Sequence, residues 1–231
     1  MPIIKLEKIH KTYRTGKVDF PALNGISFNV KKGEFLSIAG PSGSGKTTIL
    51  NIIGCLDKPT RGLVFLDGRD ITQLPLTKLA DIRRKKIGFI FQTFNLIQVL
   101  TAAENVEFPL ILEGINNSGT RKEKVEEILT DVGLKDFLNR KPNELSGGQQ
   151  QRVAVARALV KKPDLVLADE PTANLDSKTG ENILNLMLEL NRKTSTTFIY
   201  STHDNRVMRL ASRLILLKDG QLESDSGNGN Q

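Results

Sequence analysis

The 231 residues, 39% hydrophobic and 26% charged, suffice for one or two packed domains and match an ordinary soluble globular protein. No apolar run approaches the roughly 20 residues of a membrane span, the start MPIIKLEKIHK is too short and charged for a secretion signal, and a single cysteine, Cys55, excludes an internal disulfide. The net charge of +7 admits an anionic partner, but the basic residues are scattered and only 5% of residues are aromatic, with no platform for base stacking.

The first third alternates short β-rich runs with turns, and IIKLEKI, ISFNV and GLVFLDG read as strands. EFLSIAG is apolar and small throughout, as a strand buried on both faces of a parallel sheet requires. It leads through a glycine loop into KTTILNIIGCL, a helical pattern with Ile49, Ile52 and Ile53 on one side and Cys55 on its apolar face. KIGFIFQ is a further strand. From about Phe94 to Val160 the texture turns helical, with Val125, Ile128 and Leu129 at helical spacing and QQQRVAVARALVKK as a second helix stopped by Pro163. DLVLADEP is then a strand, GENILNLMLELNRKT a helix, TTFIYSTHD a strand and RVMRLA a helix, before a last β pair around LILLKDGQL. With the motif GPSGSGKTT between a strand and a helix, this order predicts an α/β fold: a P-loop NTPase core with a mainly parallel sheet, an N-terminal antiparallel β subdomain and an inserted α-helical subdomain. A single domain over 1–222 is expected, its helical part at about 94–160, with 223–231 too polar and Gly/Asn-rich to fold.

Two stretches carry phosphate chemistry. GPSGSGKTT (Gly40, Pro41, Ser42, Gly43, Ser44, Gly45, Lys46, Thr47, Thr48) matches G-x-x-x-x-G-K-[ST] between a predicted strand and a predicted helix. Its backbone N–H groups turn in on phosphates, Lys46 supplies a point charge for the β and γ phosphates, and the Thr47 hydroxyl suits Mg²⁺. ELSGGQQQRVAVARAL is a second glycine-rich helix start, able to face an anion with its free N–H groups and positive dipole end. Asp169 closes the apolar strand LVLAD at the end where α/β sheets bind ligands. It is placed to accept from the Mg²⁺ shell, and Glu170 beside it to polarise an attacking water. Gln92 and His203 end two further strands, where a neutral amide could ligate Mg²⁺ or orient water and an imidazole could meet a γ phosphate.

No Asn-Lys dipeptide of the kind that reads guanine in small GTPases occurs. In the order GPSGSGKTT, Gln92, LSGGQ, LVLADEP, ANLD and STHD, the chain resembles the ATP-binding cassette (ABC) ATPases from about Leu6 to Leu222. GCLDKPTRG, FQTFNLIQVLTAAENVEFPL and ELSGGQQQRVAVARAL are similar to the subgroup serving lipoprotein-release and macrolide-exporter permeases. The resemblance implies that Tyr13 stacks on adenine, Gln92 senses Mg²⁺, water and the permease, Glu170 is the catalytic base and His203 the γ-phosphate switch. It implies that Ser146, Gly147, Gly148 and Gln149 meet the nucleotide of a partner subunit, toward which Asp176 reaches. ATP and Mg²⁺ are thus the expected ligands, and a head-to-tail homodimer and a transmembrane permease subunit the expected partners, without nucleic acid. The expected place is the cytoplasm, against the inner face of the membrane. Phe94, Leu96, Ile97, Val99 and Leu100 read either as core of the helical part or as a pocket for a cytoplasmic helix of the permease. An ABC-type ATPase on nucleic acid or ribosomes and a low-turnover regulatory module are the alternatives.

Overall fold

The computed structural model describes residues 1–16, 18–202 and 205–227. The chain divides into two compact units, Met1–Arg83 with Thr197–Gln231, and Arg84–Thr196.

In the first unit, β1 (Pro2–Thr15), β2 (Val18–Lys31), β4 (Arg61–Leu66) and β5 (Arg69–Asp70) build a four-stranded antiparallel sheet in the order β2-β1-β4-β5. Alternation drives it: Leu23, Ile26, Phe28 and Val30 are buried while most of their neighbours face solvent. The fully buried β3 (Phe35–Ala39) instead pairs parallel with β8 (Thr197–Thr202) and with β9 (Arg213–Lys218). Phe35 anchors this core, its ring centroid 5.6 Å from that of Phe198 and 5.0 Å from that of Tyr200. The glycine loop connects β3 to α1 (Lys46–Ile53), and α7 (Asn205–Leu210) connects β8 to β9.

Two sequence expectations are corrected here. Helix α1 ends at Ile53 with Gly54 as its C-cap, so Cys55 is not on a helix face; it sits just beyond, with φ 57°. It is nonetheless buried, and that burial pushes its thiol pKa up to about 11 against a smaller opposing pull from Arg83. Of the C-terminal stretch 223–231 expected to be unstructured, residues 223–227 instead belong to β10 (Gln221–Gly227), antiparallel to β9, and 228–231 lie outside the described residues. Backbone pairing overrides the polar composition, and Asp225 adds a two-pronged bond to Arg213, with Nε and Nη2 each 2.6 Å from a carboxylate oxygen. Arg213 also meets Glu34 at 3.2 Å.

In the second unit, β6 (Ile87–Phe91) and β7 (Leu165–Asp169) run parallel, with Phe91 opposite Asp169. The same unit holds α3 (Ala102–Leu112), α4 (Ser118–Asp131), α5 (Gly147–Leu159), which packs on β6, and α6 (Ser177–Thr194). Val125, Ile128 and Leu129 face inward on α4 as their spacing predicts. Helix α2 (Leu76–Lys86) contains the boundary between the units. Neither α2 nor α3 is legible in the sequence: α2 buries only Leu79, and α3 carries Pro109 inside it. A capping box starts α3, Thr101 accepting from Glu104 N–H and Glu104 from Thr101 N–H. The buried Asn105 then ties down the preceding loop, accepting from Ile97 N–H and donating to the carbonyls of Ile97, Leu100 and Thr101. The apolar stretch before α3 splits: Leu96 is buried, whereas Val99 is 75% exposed.

Candidate functional site

In the first unit the glycine loop forms a small polar pocket of about 160 Å³ lined by Ala22, Gly43, Gly45, Lys46, Thr47 and Thr48. Gly45 is the N-cap of α1 at φ 100° and offers no side-chain cap. A β-carbon there would lie 2.7 Å from Leu23 Cδ2 and 2.8 Å from the Ala22 carbonyl, so only glycine lets the backbone pass. Lys46 is 7% exposed and curls back to donate to the carbonyls of Gly40 (2.8 Å) and Pro41 (3.0 Å). Ser44 Oγ, also buried, has no hydrogen-bond partner among the described residues. An uncapped helix start, a buried ammonium and an unpartnered hydroxyl are a donor set looking for an anion. Thr47 in the same pocket provides the oxygen a hard divalent cation prefers, so the residues fit a Mg²⁺–phosphate ligand.

Tyr13 is joined to this loop. The residue is 39% exposed, and its hydroxyl donates to Asp57 Oδ2 at 2.8 Å with the Thr48 side chain close by. Lys11 Nζ lies 4.8 Å from the ring centroid and donates to Asp57 Oδ1 at 2.6 Å. Burial raises the Tyr13 pKa, with the Asp57 bond adding to it. Burial works to raise that of Asp57 too, but the Lys11 and Tyr13 bonds outweigh it and hold the carboxyl below its usual range. Sequence reasoning missed Lys11 and Asp57, although the KTY and GCLDKPTRG stretches contain them.

In the second unit, the pairing of β6 with β7 puts Gln92 and Glu170 one residue past two matched strand ends. Gln92 is exposed, its carbonyl taken by Asn174 Nδ2 at 3.0 Å. Asp169 and Glu170 are half-buried, and Glu170 has a left-handed backbone, φ 47°, in a turn that closes with Ala173 N–H on its carbonyl. Asp176 caps α6 by accepting from Thr179 N–H at 3.0 Å. Ser146 begins α5 with a capping box, accepting from Gln149 N–H while Gln149 accepts from Ser146 N–H. Gly147 and Gly148 form the first turn, and a β-carbon on Gly148 would strike Thr179 Cγ2. The glycine helix start, the acidic turn and the α6 cap are therefore packed as one cluster. Two polar anchors missed in the sequence run from α5 into it and into the Gln92 loop. Gln151 reaches the Pro171 carbonyl at 2.6 Å, and Arg157 donates to the carbonyls of Phe94 and Asn95, both at positive φ. His203 lies outside the described residues.

The pattern described as "ABC transporter" matches residues 23–173. An uncharacterised ABC transporter ATP-binding protein of Methanocaldococcus jannaschii, MJ0796, is 52% identical over 226 residues, 96% of each chain. The macrolide export ATP-binding/permease protein MacB of Syntrophobacter fumaroxidans is 47% identical over 98% of this chain, which spans 32% of that longer protein. A dimeric post-hydrolysis structure of the MJ0796 cassette bound to ADP and Pi superposes with a TM-score of 0.90, at 50% identity over 99% of this chain and 100% of that one.

Proposed function

The chain belongs to the ABC transporter family, and on that premise we propose that it is the ATP-hydrolysing subunit of a permease of the lipoprotein-release or macrolide-exporter type, working as a head-to-tail homodimer around two ATP. It is an ATPase of ABC fold; the residue roles that follow are our reading. Lys46 and the N–H groups of Gly40–Thr48 hold the triphosphate, Tyr13 stacks on adenine, and Thr47, Gln92 and Asp169 attend to Mg²⁺. Glu170 draws the proton from the attacking water, with His203 on the γ phosphate. The Ser146–Gln149 helix start closes over the nucleotide of the partner subunit, and Asp176 faces that subunit.

One observation carries this: the chain has two separate glycine helix starts, at Gly45 and at Ser146, and only the first has a buried lysine and an unpartnered hydroxyl of its own. The second has no lysine or arginine within its own first turn, Ser146–Gln149, as half of a site finished by another molecule would. Hydrolysis then removes the γ phosphate that bridges the subunits, and the dimer relaxes.

For the permease, the second unit exposes the apolar side chains of Ile97 and Val99 in the segment after Gln92 and of Phe108, Ile111 and Leu112 on α3. MacB, which joins an ATP-binding and a permease part in one chain, supports the pairing. Among the described residues no helix is long and apolar enough to cross a membrane; in our reading the permease holds the chain at the inner membrane face. In the basic knot at Arg83–Lys86, Arg83 and Arg84 donate to the carbonyls of Cys55 and Leu112, and Lys86 pairs with Asp164.

Size-exclusion chromatography of Glu170→Gln with and without ATP tests the reading. A dimer that accumulates only with ATP, with hydrolysis nearly abolished, is the expected result. A monomer under both conditions overturns it.

A further inference from the structure

Gln151 stands at a position that should be apolar. On α5 it shares a helical stripe with Ala154, Val155 and Ala158, all buried, and it is itself fully buried. Its Nε2 donates to the Pro171 carbonyl at 2.6 Å, while its Oε1 has no hydrogen-bond partner among the described residues. The amide orientation is fixed by chemistry, since a carbonyl only accepts and the nitrogen must face it. A buried amide with one end unsatisfied is a poor way to stabilise a core, where an apolar residue of the same size would pack without that cost. The bond is retained for what it positions.

What it positions is the turn after β7. Pro171 directly follows Glu170, whose left-handed backbone at φ 47° is unfavourable for any residue with a side chain. Such a conformation persists only where surrounding contacts over-determine it. Gln151 fixes the next carbonyl along, the Ala173 N–H fixes that of Glu170, and Gly180 packs against Thr172 in the same turn.

We propose that Gln151 is a positioning residue that holds the Glu170–Pro171 turn, and with it the Glu170 carboxylate, in the orientation hydrolysis requires. It thereby ties the base of one nucleotide site to the helix whose Ser146 end serves the other. The proposal rests on the reading of Glu170 as base. A movement of Ser146 on closing over the partner's nucleotide would reach Glu170 through five residues of helix and one hydrogen bond.

Gln151→Met keeps the volume and removes the donor. Steady-state ATPase kinetics are measured for it alone and combined with Glu170→Ala, with ATP affinity of the monomer measured in parallel. With Glu170 present, kcat should fall by about 10- to 100-fold, as small misplacements of catalytic groups do, with monomer affinity for ATP unchanged. With Glu170→Ala, the same substitution should leave the residual rate unaltered, because a residue acting through Glu170 has nothing left to position. Equal losses in both backgrounds, or an unchanged kcat with Glu170 present, overturn the proposal. A Glu170→Ala chain that hydrolyses ATP like the parent overturns instead the reading of Glu170 on which the proposal stands. Should Gln151→Met fail to fold, Gln151→Glu replaces it. Only its protonated carboxyl can donate to Pro171, so its kcat relative to the parent should recover as pH falls, and a flat ratio overturns the proposal.

Discussion

Gly148 and Thr179 pack so closely that a β-carbon on residue 148 would lie 2.6 Å from Thr179 Cγ2. The contact presses the start of α5 against the first turn of α6, which Asp176 caps through the Thr179 N–H itself. A methyl group at 148 would meet the Thr179 methyl head on, and the β-branched Thr179 has few rotamers to escape into. Gly148→Ala should therefore destabilise the chain by about 1–3 kcal/mol, the usual range for overpacking. Adding Thr179→Ser removes the clashing methyl and should restore most of that loss while keeping the backbone cap. Urea unfolding midpoints of the two variants check this. A Gly148→Ala chain as stable as the parent would remove the close contact from the account, and a glycine required only for nucleotide approach would remain.

The Tyr13 ring is held at its hydroxyl by Asp57 and approached by Lys11 at 4.8 Å. If the ring stacks on adenine, its contribution belongs to the base and not to the phosphates. Base–aromatic stacking is worth about 1–3 kcal/mol per base, so Tyr13→Ala should weaken ATP binding by about 5- to 150-fold. Binding of inorganic tripolyphosphate to the same loop should be unaffected. Asp57→Ala frees the hydroxyl without removing the ring and should give a smaller loss with the same selectivity. Titration calorimetry with both ligands separates the cases, and parallel losses for ATP and tripolyphosphate would assign Tyr13 to the loop's integrity instead.

What could be read from the sequence divides along a physical line. The glycine loop, the acidic pair after LVLAD and the LSGGQ helix start are local demands, satisfied by small residues and caps within a few positions, and so they are visible in the string. The buried strands β3, β7 and β8 show equally well because their burial is continuous. Helix α3 hides because Pro109 argues against a helix, and tertiary packing of Val106 and Leu110 overrules it. Strand β10 hides because a ladder with β9 and a bond from Arg213, 12 residues away, outweigh a composition that favours coil. Gln151 and Asp57 are invisible for the same reason: their roles are set by Pro171 and Tyr13, distant partners that no local pattern announces. For Gln151 one signal existed, a polar residue in the apolar stripe of α5.

Acid should loosen the helix starts first. Glu104 is held below the usual carboxylate range chiefly by the Thr101 backbone N–H, and Asp176 chiefly by its bonds to Thr179. Both folded pKa values are depressed, so the unfolded chain binds these protons more readily than the folded one. The stability they contribute is present above their unfolded values near 4 and is lost as pH falls through the lower folded values. Asn caps a helix about as well as Asp but carries no proton to bind. Asp176→Asn should then match the parent in thermal midpoint at pH 7 to within a few degrees and lose less of it on going to pH 3. Adding Glu104→Gln, which retains a hydrogen-bond acceptor for the capping box, should flatten the acid limb further. Midpoints that fall with pH as steeply in the double variant as in the parent would move the acid sensitivity to other carboxylates, Asp57 with its Lys11 partner foremost.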